Sequence, residues 1–137
     1  MKGDFRPTLQ EDVTYRPQDQ LQLFDKERVN DIVPRVSNDI LCAPFRKFGL
    51  YVYIDSTGAP TTLQIKVQFL DPWSGAWYDH KQGLFAALFY EDGDTASGIY
   101  EVFTGDVVGR AMRVVLVGVG STGAAYFTTS IAVDLWN

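Results

Sequence analysis

The sequence predicts an all-β protein, an antiparallel β-sandwich of jelly-roll type with an extended N-terminal arm. Three observations carry that reading. Apolar and polar residues alternate strictly through Thr62–Leu70 and Tyr126–Trp136, and a period of two marks a strand with one face buried and one in water. Clusters of Gly, Pro, Asp and Ser separate such runs, without long helical patterns between them, which favours antiparallel connections and two sheets packed face to face. Aromatic residues reach 14%, and large rings favour strands and packed interfaces.

Taken in order, residues 1–36 are polar and interrupted by Pro7, Pro17 and Pro34, so they read as an arm preceding a sandwich domain at 37–137. Within the arm, Leu21, Phe24, Arg28 and Ile32 fall near helical spacing, and residues 19–33 are expected to form a short amphipathic helix ended by Pro34. Residues 48–55 place Leu50, Val52 and Ile54 on one face and Tyr51 and Tyr53 on the other. Across the turn Ser56-Thr57-Gly58-Ala59-Pro60 they are expected to pair with Thr62–Leu70 as a hairpin. Residues 84–91 suit a strand or a helical turn, and 98–104 a strand. Residues 110–118 are apolar on both faces, as in a central strand, and Tyr126–Trp136 closes the domain. A small closed barrel is the alternative architecture.

A length of 137 residues with 46% hydrophobic and 21% charged side chains suits one folded domain that needs no metal or disulfide staple. The net charge of −5 is uneven: residues 1–49 hold 8 basic and 8 acidic side chains, and residues 50–137 hold 4 and 9. Phosphate recognition needs clustered Lys and Arg, so an acidic body argues against direct nucleic-acid binding. No apolar run approaches the roughly 18 residues that suggest a membrane span. The start, Met1-Lys2-Gly3-Asp4-Phe5, lacks the apolar stretch of a signal peptide, and Cys42 is alone; both lead to an expectation of cytoplasmic synthesis.

No catalytic, cofactor or metal site is expected. Gly118-Val119-Gly120-Ser121-Thr122-Gly123 spells G-x-G-x-x-G after a strand, but dinucleotide binding needs a helix opening at the third glycine and a later acidic residue. The residues after Gly123 alternate as a strand, so the segment reads as a hairpin loop. Glu91, Asp92 and Asp94 imitate part of a calcium loop whose remaining ligands are missing. His80 and Cys42, each the single residue of its type, assemble neither a zinc site nor a nucleophile with its base. Asp71-Pro72-Trp73-Ser74-Gly75-Ala76-Trp77-Tyr78-Asp79 gathers three aromatics around a turn. It reads either as packing, with Trp77 folded back on the core, or as a platform on which a sugar could stack.

Several stretches resemble small β-sandwich proteins encoded among the virion structural genes of tailed bacteriophages. They are Phe45-Arg46-Lys47-Phe48, Gln64-Ile65-Lys66-Val67-Gln68-Phe69 running on to Trp77-Tyr78-Asp79, Ala96-Ser97-Gly98-Ile99-Tyr100-Glu101, Gly109-Arg110-Ala111-Met112-Arg113-Val114, and Leu135-Trp136-Asn137. The resemblance covers about two thirds of the chain and leaves the arm outside. It implies a non-enzymatic virion protein made in the host cytoplasm, oligomeric, with the major capsid protein or other virion subunits as partners. Capsid decoration is the first expectation; a neck or tail component, or a carbohydrate-binding module using Trp73 and Trp77, are the alternatives. Leu21, Phe24 and Ile32 of the arm, with Trp73 and Trp77, are the expected partner-binding residues.

Overall fold

A computed structural model describes residues 20–58, 60, 62–80, 88–91 and 98–137. Among the described residues there are ten strands and no helix. In chain order they are β1 (Gln20–Val29), β2 (Arg35–Val36), β3 (Ile40–Leu41), β4 (Lys47–Thr57), β5 (Thr62–Leu70), β6 (Trp77–Asp79), β7 (Leu88–Glu91), β8 (Ile99–Asp106), β9 (Ala111–Val119) and β10 (Tyr126–Trp136). One sheet runs β1-β10-β4-β8; in the other, β9 lies between the short β2 and β3 on one side and β5 on the other, and β5 also pairs β6 and β7. Every pairing is antiparallel. The chain changes sheet from β1 to β2, β3 to β4, β4 to β5, β7 to β8, β8 to β9 and β9 to β10.

Alternation explains the core. Phe48, Leu50, Val52 and Ile54 of β4 and Phe127, Ile131 and Val133 of β10 are buried in one cluster with Leu63, Ile65 and Val67 of β5 and Met112, Val114 and Leu116 of β9. None is more than 2% exposed. Each such side chain gains about 1.5–3 kcal/mol from leaving water, and this burial holds the two sheets together.

The expected helix over residues 19–33 is a strand instead. β1 pairs with β10 from Gln20↔Asp134 to Val29↔Phe127, with two register shifts on the way. Lys26 has φ 54°, and its N–H donates to Ser130 Oγ at 2.9 Å. Each shift inserts an extra residue in β1, which reverses the in-out alternation beyond it. Leu21, Phe24 and Val29 thus pair with the inward positions Val133, Ile131 and Phe127 at spacings of three and five, which a regular strand cannot give. Residues 20–36 therefore belong to the two sheets, and the boundary expected at residue 36 divides no structural unit. Residues 1–19 lie outside the described residues.

Neither expected hairpin forms. β4 pairs β10 and β8, whereas β5 pairs β9, so the turn after β4 carries the chain from one sheet to the other. Gly58 makes that crossing at φ 72°, where an added Cβ would stand 2.4 Å from the Ala124 carbonyl oxygen. The glycine-rich link after β9 also changes sheets. Just before that link, Gly118 near the end of β9 is packed against Val29 and Ser121.

Candidate contact surfaces

Among the described residues no three His, Cys, Asp or Glu side chains gather as a metal site, and no helix is long and apolar enough to cross a membrane. Asp92 and Asp94 of the calcium-like turn lie outside the described residues. Cys42 is buried, its thiol donating to the Gly109 carbonyl at 3.3 Å, and burial pushes its pKa up. His80 is buried just after β6, edge-on to Phe48 and Phe69 with ring centroids 5.9 and 5.3 Å away. Its Nε2 has no hydrogen-bond partner, and a cleft of about 500 Å³ opens beside it between Tyr78, Asp71 and Arg110.

Burial pushes the His80 pKa down, opposed by the Asp106 carboxylate. The imidazole is therefore expected to titrate below the usual value of about 6.5 in an NMR pH series. Because the folded pKa is the lower one, the stability this neutral ring contributes is complete above the unfolded value. It is lost as pH falls through the folded value. A midpoint at or above the usual value would contradict the packing described.

The tryptophan-rich turn is ordered by Asp71. Its carboxylate accepts from Trp73 N–H at 2.9 Å and Ser74 O–H at 2.7 Å, and these two bonds, led by Ser74, hold its pKa down. Gly75, at φ 74°, closes the turn by donating to the Asp71 carbonyl at 2.8 Å. Trp73 stands at the tip, 96% exposed. Trp77 is half-buried on the outer face of its sheet, with the Arg113 guanidinium 4.3 Å from the ring centroid. Arg113 Nε donates to Gln68 at 2.9 Å, and Gln68 donates to Asp79 at 2.9 Å. Trp77 is thus covered by a cation and does not fold into the core, while Trp73 projects from the turn into solvent.

The expected anchors of the arm separate. Phe24 is 6% exposed and belongs to the core, so it cannot reach a partner. Leu21 is partly exposed within β1, and Ile32 is 74% exposed on the crossover between the sheets. That crossover is stapled: Asp31 Oδ1 accepts from Val33 N–H and Arg35 Nη1, both at 2.9 Å. Arg35 Nη2 also donates to Asn30 at 3.0 Å, and its Nε lies 3.4 Å from Glu27. Arg35, then Val33 N–H, hold the Asp31 carboxyl below its ordinary range. The staple fixes a turn that presents Ile32 and Val33 to solvent. Val36 and Leu41 continue the exposed aliphatic surface along the two-residue strands β2 and β3, Leu41 being 82% exposed. Four large aliphatic side chains exposed over ten consecutive residues are more than the scattered apolar positions of an ordinary surface.

No protein-family model matches the chain, and no curated protein matches it significantly in sequence. Among solved structures, "Crystal structure of PirA" is similar at 14% identity and a TM-score of 0.47, over 90% of this chain and 98% of that one. "Family 16 Carbohydrate Binding Module-2" is similar at 13% identity and a TM-score of 0.46, over 74% of this chain and 70% of that one. Likenesses this weak carry no inference about what this chain binds.

A second surface escaped notice in the sequence. On the outer face of the four-stranded sheet, Tyr51 and Tyr53 of β4 pair across to Val102 and Tyr100 of β8. Tyr53 and Tyr100 bring their ring centroids to 4.6 Å. The signal was present in the tyrosines opposite Leu50 and Val52, but only the β4-β8 pairing adds Tyr100.

Proposed function

We propose that the chain is a virion structural protein of a tailed bacteriophage, a capsid decoration protein that grips shell subunits through its crossover segment. The observation that supports this reading best is the stapled turn at residues 30–35, with Ile32 and Val33 exposed on it and Val36 and Leu41 exposed on the two short strands that follow. Aliphatic side chains held rigidly in water gain from burial against a protein partner, and a segment that is already ordered loses little entropy on docking. The acidic body suits a partner with basic patches. The virion setting comes from the sequence resemblance, and decoration as the role comes from a small chain with an acidic body and an exposed aliphatic crossover that could lie against shell subunits.

Quantitative mass spectrometry and cryo-electron microscopy of particles from the phage encoding the chain test this reading. The expected result is many copies on the shell, in a fixed ratio to the major capsid protein. A few copies at the neck or tail would replace decoration with the connector role. Absence from particles would reject the virion reading.

A further inference from the structure

We infer that the outer face of the four-stranded sheet is a binding site for a neutral oligosaccharide, separate from the aliphatic crossover and independent of the virion reading. The sheet register assembles it. One row across all four strands is Gln22, Ala132, Tyr51 and Val102, and the next is Ser130, Tyr53 and Tyr100. Small side chains on the central strand β10 thus form a floor between Gln22 and the tyrosines, leaving a trough of about 300 Å³.

The aromatic wall extends further. An added Cβ at Gly49 would stand 3.2 Å from the Trp136 ring and 3.8 Å from that of Tyr51. The missing side chain at this position therefore lets Trp136 lie beside Tyr51. Trp136, Tyr51, Tyr53 and Tyr100 form a strip along β4 and β8, with Tyr100 81% exposed.

The chemistry selects the occupant. Aromatic faces carry a negative quadrupole, and the C–H bonds on one side of a pyranose ring present the complementary positive surface. Sugar hydroxyls need partners at the rim. Ser130 Oγ accepts from Lys26 N–H and keeps its own proton to donate, while Gln22 and the tyrosine hydroxyls offer donors and acceptors. Among the described residues that line the trough there is no cation, and Glu101, paired with the inward Val52, directs its side chain to the other face of the sheet, so the described lining is polar but uncharged and suits a neutral ligand. Among the described residues the aliphatic side chains on this face beside the aromatic strip are Val102 and Ala132, a small anchor for a peptide's aliphatic side chains.

The test is calorimetric titration of the whole chain with cellohexaose, mannohexaose and chitohexaose, with NMR to map the site. At least one hexaose is expected to bind with Kd of about 1 mM or tighter and to shift the signals of Tyr51, Tyr53 and Tyr100. Tyr51→Ala and Tyr100→Ala should each weaken binding at least about tenfold, while Trp73→Ala leaves it unchanged. Failure of all three probes, or binding that survives both tyrosine changes or disappears with Trp73→Ala, overturns the proposal. Neither result bears on whether the chain is found in particles.

Discussion

Deleting residues 1–33 is expected to unfold the protein. The deletion removes all of β1, which pairs with β10 along most of its length, and with it the buried side chains of Phe24 and Val29. Truncating a buried Phe costs about 3–5 kcal/mol. Loss of the whole strand also opens the core over Phe127, Ile131 and Val133 and leaves the backbone of β10 unpaired at a new edge. Domains of this size are stable by only about 5–15 kcal/mol, so these losses together exceed what the fold can bear. Circular dichroism and one-dimensional NMR of the truncated chain would show it: the expected outcome is no cooperative melt and no dispersed methyl signals. A truncated chain melting at the full-length temperature would mean that β1 is a dispensable arm after all.

Phe48→Ala is expected to be among the most damaging of the single core changes, lowering stability by about 3–5 kcal/mol. Phe48 is fully buried, tilted against Phe69 at 6.4 Å and against His80 at 5.9 Å. Its ring also fills the space over Gly105, where an added Cβ would stand 2.7 Å from Phe48 Cζ. Gly105→Ala alone therefore overpacks the site and should cost about 1–3 kcal/mol. Combined with Phe48→Leu it should cost less than the sum of the two single changes, because the smaller side chain vacates the colliding atoms. Urea melts of the variants measure this, and full additivity would contradict the contact.

How much of the fold is legible in the sequence depends on what alternation encodes. It marks β5, β9 and β10 within a residue or so of their observed ends, since each is regular and its burial depends only on local periodicity. It misreads β1 because two extra residues break the period of two, which leaves Leu21, Phe24, Arg28 and Ile32 near helical spacing in the sequence. It also misreads the partners of β4, β5, β9 and β10. Alternation says which face is inward but not which strand lies alongside, and here β4 and β5, like β9 and β10, go to opposite sheets. The same gap hid the tyrosine strip, which exists only once β8 is placed beside β4. Of the expected anchors, Ile32 and Trp73 are exposed, while Phe24 is committed to the core and Trp77 to Arg113.

The proposed role of the aliphatic crossover can be measured directly by cosedimentation of the full chain with capsid shells lacking it. Ile32→Asp with Leu41→Asp changes two side chains that the fold leaves in water, where substitutions usually alter stability by no more than about 0.5 kcal/mol. At a docked interface, however, each carboxylate would be stripped of water without a partner. The wild-type chain is expected to sediment with the shells, and the double variant, melting at nearly the same temperature, to remain in the supernatant. Equal cosedimentation of the two proteins would contradict the assignment of this surface.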